Sequence, residues 1–316
     1  MSTDQGIAAA RANRRTIALL AVAQALFQSI QSMAITTTPL AGYGMLGADK
    51  TLATLPIFLG HAGIMATNIP ASLLMARVGR RAGFSVGAVI GILSGLTGFA
   101  ALWLASFPLL CVAALLQGGA AAFAWYFRFA ATDAAAPADR AKAISLVMAG
   151  GVLAGALGPQ TAKWSVGLFE PVVFAGVYMM IAIFAATGLA VIQFQRVPPV
   201  TEVHSSEPGR PLGEIARQPA FRVAVLTSMF GYAVMTLVMT VTPIAMLACG
   251  FNFGQSATVI QAHVIAMFLP SFFTGHLIGR VGVLPVIVAG AAIEACCAVW
   301  SRADAPSTVA APSITA

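Results

Sequence analysis

Between residues 16 and 300 the sequence is a succession of long apolar runs broken by short polar gaps, and the runs contain few Asp, Glu, Lys or Arg. A helix crosses a hydrocarbon layer of about 30 Å with about 20 apolar residues, because its internal hydrogen bonds leave no backbone group unpaired in lipid. Nine runs reach that length: residues 16–38, 51–75, 84–106, 108–130, 143–163, 171–194, 222–246, 256–278 and 282–300. Breakers such as Pro39, Gly42, Gly44, Pro137, Pro171 and Pro219 punctuate the gaps. With 59% hydrophobic residues, 9% charged residues and a mean hydropathy of +0.88, such a chain cannot enclose its apolar side chains in a water-soluble core. The sequence predicts an all-α, multi-pass membrane protein.

Lys and Arg beside the spans remain on the cytoplasmic side during insertion. With a cytoplasmic N-terminus, Arg11, Arg14, Arg15, Arg77, Arg80, Arg81, Arg128, Arg140, Lys142, Arg196, Arg210, Arg217, Arg222 and Arg280 lie inside. Only Lys50, Lys163 and Arg302 lie outside, a division of 14 against 3. The net charge of +7 is thus explained by a basic face against anionic lipid, and it is not a nucleic-acid signal. The first apolar run is too long for a cleaved signal peptide and is followed by more spans, so it is an uncleaved helix. The expected location is a cell membrane of the bacterial inner-membrane type.

A polar stretch over residues 195–221, holding Pro198, Pro199, His204, Ser205, Ser206, Glu207, Pro208 and Pro211, divides the chain. The expected organisation is a cytoplasmic N-terminus at 1–15, a six-span bundle at 16–194, a cytoplasmic linker at 195–221, a three-span bundle at 222–300 and a disordered tail at 301–316. A repeat supports two related halves. Arg77-Val78-Gly79 and Arg280-Val281-Gly282 lie 203 residues apart, each between the second and third spans of its half, and the same offset pairs Gly87 with Gly290. A tight turn between antiparallel helices favours a residue that tolerates positive φ, which accounts for glycine at 79 and 282.

In these features the chain resembles the major facilitator superfamily, whose two six-helix bundles surround a central substrate pathway. The family's signature between spans two and three is Gly, three residues, Asp-Arg, one residue, Gly-Arg, then Arg or Lys. Ser72, Ala76, Arg77, Val78, Gly79, Arg80 and Arg81 occupy it here, with Ala in place of the Asp; Gly275, Gly279, Arg280, Val281 and Gly282 keep the spacing in the second half. The resemblance implies a conformational gate at Arg77, Gly79, Arg80, Arg81, Arg280 and Gly282. Similarity to the family's loop between spans four and five adds Arg128, Asp133 and Arg140, with switching pairs between Arg128 and Asp133 or between Asp139 and Arg140 or Lys142. Gly150-Gly151, Gly155 and Gly158-Pro159 resemble the antiporter signature of span five, although Ala162 and Lys163 replace its later glycines. Close helix packing is the alternative use of these glycines and the main reading of Gly87, Gly91 and Gly95. An Arg that family members carry before the Gln-Gly of span four is Ala114 here, ahead of Gln117-Gly118, so no proton-linked role transfers to it.

The residues themselves suggest a pathway. Gln24, Gln28 and Gln31 recur at i, i+4 and i+7, a polar stripe that lipid would penalise. His61 and Asn68 share a face of span two. Trp125 and Tyr126 supply aromatic surface near the inner end of span four, Tyr232 and Met235 belong to span seven, and His263 belongs to span eight. Apolar and aromatic walls with a few polar anchors suit an organic solute, while hydrogen bonding and packing between helices are the plainer use of each residue. Ionisable groups within spans are functional candidates, which makes Glu294 a candidate proton site beside His61 and His263. Cys111, Cys249, Cys296 and Cys297 lack metal spacing and are expected to be buried free thiols. The sequence has no nucleophile motif and no paired intramembrane carboxylates, so an enzyme, a metal site and a cofactor are not expected.

The implied function is secondary active transport of a small organic solute through the lipid bilayer by alternating access, with proton coupling as an option and efflux favoured over uptake of a metabolite or vitamin. A non-transporting remnant or regulatory membrane protein is the competing reading. It arises because hydrophobicity stops after Trp300 in the middle of a recognisable half, which predicts a C-terminally truncated reading frame.

Overall fold

Proline and glycine mark several of the helix ends, although Pro39, Gly42 and Gly44, expected in a gap, lie inside the first helix, which continues to Met45. The computed structural model describes residues 2–136, 139–195 and 211–303. Its helices are α1 Ser2–Met45, α2 Leu55–Val78, α3 Arg80–Trp103, α4 Phe107–Ala124, α5 Phe127–Ala134, α6 Arg140–Ser165, α7 Ala175–Gln193, α8 Leu212–Arg217, α9 Pro219–Ala248, α10 Phe253–Phe268, α11 Ser271–Val281 and α12 Val283–Ala303. Pro56, Pro108 and Pro219 occupy first-turn positions of α2, α4 and α9, where the missing N–H has no helical partner to lose. α10 opens with a capping box: the Asn252 side chain accepts from the Gln255 amide and the Gln255 side chain accepts from the Asn252 amide, both at 2.9 Å. At the far end of α1 the Lys50 ammonium donates to the carbonyls of Tyr43 and Leu46 and lies over the Tyr43 ring, neutralising the negative end of the helix.

Eight helical segments among the described residues are long and apolar enough to cross a membrane: Asn13–Met45, Leu55–Val78, Arg80–Trp103, Phe107–Ala134, Lys142–Ser165, Ala175–Gln193, Pro219–Ala248 and Phe253–Thr274. The ninth expected span falls on α12, whose apolar part Val283–Cys296 is shorter. The expected run 108–130 continues through Trp125 and Tyr126, both in right-handed helical geometry, into α5. The expected run 256–278 is instead two helices, α10 and α11. Pro270 lies at the break, where it has no N–H to give and its ring crowds the preceding turn. Much of the proline-rich stretch 195–221 and the tail after residue 303 lie outside the described residues.

Helices α1 to α10 form one compact unit, and α11 with α12 form a second. In the first unit the principal pairings are α1 with α6, α2 with α4, and α3 with α4 and α7. Without a hydrophobic drive between helices in lipid, small residues that let backbones approach carry much of the packing. The tightest approach is between α2 and α4, where a Cβ on Gly118 would sit 1.8 Å from the Gly60 carbonyl oxygen. Gly150 and Gly158 of α6 lie against the backbone of α1 at Ala21 and Ser29, and Gly87 and Gly95 of α3 lie against Phe123 and Ala182. The glycines of spans three and five therefore pack helices together. Buried clusters around Leu20, Phe27, Phe84 and Phe127, and around Met33, Leu110, Tyr178 and Ile181, fill space between α1, α3, α4, α5 and α7. A small apolar cavity of about 50 Å³ remains among these helices beside Phe27, Gly87, Gln117, Phe123 and Gly188. Cys111 is buried as expected; Cys249, just past the end of α9, and Cys296 of α12 are exposed free thiols, against the expectation, and the side chain of Cys297 lies outside those described.

Candidate functional site

Three of the residues expected to line a pathway come together across the first unit. On α2, the His61 Nδ1 faces the Ile57 carbonyl at 2.9 Å; a carbonyl only accepts, so Nδ1 donates. The Tyr232 ring of α9 stands edge-on to His61 with centroids 5.8 Å apart, and edge-on to Trp125 at 6.3 Å. Beside them the Tyr126 hydroxyl donates to the Asn68 carbonyl at 3.3 Å, so Asn68 takes part through its backbone. Tyr232 remains 42% exposed, leaving ring surface for another flat group. Edge and face contacts of this kind contribute beyond simple burial and orient a planar partner.

The glutamine stripe is divided by its surroundings. Gln24 is buried and Gln28 half-buried. Gln31 is tied to α4, where Gln117 Nε2 donates to Gln31 Oε1 at 2.9 Å. Ser94 on α3 donates to Gln117 Oε1 at 3.1 Å and to the Ala113 carbonyl at 2.8 Å. This bridge joins α1, α3 and α4 through Gln117, a residue that its place in the span-four Gln-Gly does not mark as part of the pathway. The available signal was that a glutamine in an apolar span needs a partner.

Met235 packs against a cluster of Met239, Ile260, Val264 and Phe268, which Ile35 of α1 and Met148 and Val152 of α6 also meet. His263 lies on α10 between members of that cluster, with its Nε2 buried and unpartnered. Two polar rungs cross from α6 to α10: Gln160 Nε2 donates to Gln261 Oε1 at 2.7 Å, and Lys163 Nζ donates to Thr258 Oγ1 at 2.6 Å. Gly158 and Pro159 sit buried in α6 one turn earlier, against α1.

At the start of α3 and the end of α5, Arg80 and Asp133 form an ion pair, with NH2 to Oδ2 at 2.8 Å and Nε to Oδ2 at 3.1 Å. The expected pair between Arg128 and Asp133 does not form. Five residues separate them on α5, which turns their side chains about 140° apart, and Arg128 lies over the Phe129 ring instead, 5.0 Å from its centroid. Asp139 pairs with Lys142 at 3.6 Å, the more favourable i, i+3 choice over adjacent Arg140. Arg81 reaches Gln193 Oε1 at 3.1 Å, and Gln193 Nε2 donates to Ser85 Oγ at 2.9 Å, which latches α3 to α7. Arg77 and Arg140 are exposed. The turn at Gly79 has φ 86°, and in the second unit the turn at Gly282 has φ 87°; Arg280 and Glu294 are exposed there.

Comparison with known proteins bears on the same elements. The profile of the Major Facilitator Superfamily matches residues 17–314. The riboflavin transporter RfnT of Brucella anthropi is 40% identical over 277 residues, covering 86% of this chain and 69% of that protein. Two proteins of Bacillus subtilis known as uncharacterized MFS-type transporters are similar at lower identity. YdeG is 28% identical, covering 85% of this chain and 66% of its own length, and YddS is 27% identical, covering 88% and 67%. The chain thus spans about two thirds of the length of these relatives. Apolar helices of membrane length, the paired RVG turns and a match over nearly the whole sequence agree: the chain belongs to the major facilitator superfamily of membrane transporters.

Proposed function

We propose that this chain carries a flat heteroaromatic vitamin of the riboflavin type across a cytoplasmic membrane by alternating access, in the direction of uptake. The observation that carries the reading is its 40% identity with a riboflavin transporter over 86% of its length. The Trp125, Tyr232 and His61 grouping supports it, since a partly exposed tyrosine beside two further rings is the kind of aromatic wall that suits a planar ring. A vitamin is favoured over the amphipathic efflux substrate because the similar protein is a riboflavin transporter, and uptake is the direction proposed with it.

In this reading α2 and α4 move as part of one body and α9 as part of another. The aromatic grouping parts and re-forms as the bodies rock, while the polar rungs between α6 and α10 make and break at the other end. The basic ends of α2, α3 and α5 face the cytoplasm, and the proposed division into bundles falls at residues 195–221. The test is uptake of labelled riboflavin into proteoliposomes containing the 316-residue chain. Saturable accumulation that unlabelled riboflavin suppresses, and that Tyr232→Ala lowers at least tenfold, is expected. No accumulation above protein-free liposomes would overturn the reading.

A further inference from the structure

A side-chain amide has a donor end and an acceptor end, and in a chain of such groups the anchored member settles which end each of the others presents. The bridge from α3 through α4 to α1 is a chain of this kind. Ser94 shares its single proton between the Ala113 carbonyl at 2.8 Å and Gln117 Oε1 at 3.1 Å. With Oε1 turned toward Ser94, Gln117 points Nε2 at α1 and donates to Gln31 Oε1 at 2.9 Å. Gln31 therefore spends its acceptor on α4 and keeps the N–H groups of Nε2, which meet no acceptor among the described residues. Burial falls along the chain in the same order, for Ser94 is 2% exposed, Gln117 is 9% exposed and Gln31 is partly exposed. The anchored end lies inside the protein, and the spare donor lies at the accessible end.

Gln31 occupies the side of α1 that meets α9 and α10. Ile35, one turn on and about 40° round the helix, packs against the cluster of Met235 and Met239 of α9 and Val264 and Phe268 of α10. Its partner Gln117 fixes the depth. The next residue of α4, Gly118, lies against Gly60 of α2, and the residue after Gly60, His61, stands edge-on to the Tyr232 ring. The amide chain and the His61 and Tyr232 pair are thus tied to one level of the bundle by consecutive residues of α4. Trp125 follows about 12 Å further along α4, at 1.5 Å per residue. Gln31 reaches this level from α1, and Tyr232, 42% exposed, reaches it from α9.

We infer that Gln31 donates from Nε2 to a carbonyl on the edge of the solute's ring, and that Gln117 and Ser94 are positioning residues that hold its amide in that sense. The inference rests on the riboflavin-type reading, since the flavin ring is flat and carries two carbonyl oxygens at one end. Its face and its edge need different partners. The aromatic grouping takes the face, and Gln31 takes the edge. An amide free to rotate would offer its oxygen as readily as its nitrogen, and an oxygen cannot bond a carbonyl; the chain behind Gln31 removes that alternative before the solute arrives.

The experiment measures binding of riboflavin, 2-thioriboflavin and 4-thioriboflavin to the full 316-residue protein in lipid nanodiscs by equilibrium dialysis. In the two analogues sulfur, a weak acceptor, replaces one or the other ring oxygen. On the wild-type chain one of them is expected to bind about tenfold more weakly than riboflavin, the scale of one hydrogen bond. Gln31→Met, which keeps the length of the side chain without its donor, should weaken riboflavin about tenfold and leave that analogue unchanged, so that the two bind alike. Gln31→Asn, which draws the amide back by one methylene, should narrow the same gap and serves if Gln31→Met does not fold. Ser94→Ala and Gln117→Met should each narrow it at least threefold, whereas a role confined to packing would lower the thermal midpoint and leave the ratio of affinities as it was. Tyr232→Ala should weaken all three flavins equally, because it acts on the ring face. Both analogues binding as tightly as riboflavin, or a ratio untouched by Gln31→Met and Gln31→Asn, overturns the contact. A ratio that responds at Gln31 but not at Ser94 or Gln117 overturns the positioning role. Each of these leaves the riboflavin reading intact, and failure of the wild-type chain to bind riboflavin overturns both.

Discussion

Gly79 and Gly282, 203 residues apart, adopt the same backbone conformation, φ 86° with ψ 161° and φ 87° with ψ 169°. Each ends a helix by donating its N–H to the carbonyl four residues earlier, Gly79 to Met75 at 3.0 Å and Gly282 to Ile278 at 2.9 Å. This corner of conformational space is essentially reserved for glycine. The two turns thus share both their tripeptide and their geometry.

A substitution at either turn tests that requirement without a steric complication. A Cβ at Gly79 meets nothing within 4 Å, so the cost of Gly79→Ala is backbone strain alone, about 1 to 3 kcal/mol. The expected outcome is a lowered thermal midpoint in detergent for Gly79→Ala, and a shift near zero would show that the turn relaxes freely.

Arg80 and Asp133 should be energetically coupled, and Arg128 and Asp133 should not. In a double-mutant cycle of Arg80→Gln and Asp133→Asn, the coupling is expected at about 0.5 kcal/mol for a partly exposed pair, and it should shrink in high salt. The matching cycle with Arg128→Gln is expected to give additive effects, because Arg128 rests on Phe129.

The Gln31 and Gln117 bridge makes a prediction whose sign depends on how many partners are removed. Gln31→Leu leaves the Gln117 amide group without an acceptor and should destabilise by about 1 to 3 kcal/mol. Replacing Gln31, Gln117 and Ser94 together by apolar residues should recover part of that loss. Thermal unfolding of the single and triple variants decides it.

Gly118 and Gly188 should respond to alanine in opposite directions. At Gly118 the added methyl would strike the Gly60 backbone, forcing α2 and α4 apart and lowering stability. At Gly188, which lines the small apolar cavity, the methyl meets nothing within 4 Å and replaces a poor helix former, so stability should rise by about 1 kcal/mol. Comparison of the two midpoints under identical detergent conditions tests both.

The sequence by itself determined the elements whose causes are local. Lipid-length apolar runs specify helices because hydrocarbon leaves the backbone no other partner. The RVG repeat specified two equivalent glycine turns because only glycine tolerates the required φ, and both turns are found. The break at Pro270 was equally local, but apolar residues on both sides concealed it within one run.

Which residues meet across helices was decided only by the tertiary structure. The family resemblance marked Asp133 as a switching acid, but the helical turn of α5 carries it away from Arg128, and the packing of α3 supplies Arg80. Periodicity marked Gln31 as inward-facing, but only the approach of α1 to α4 identifies Gln117 as its partner. His61, Trp125 and Tyr232 lie on three separate elements, and no spacing in the sequence relates them. Periodicity along a helix fixes which face is buried; the rotation and depth at which that face meets its neighbours depend on the whole set of packed helices.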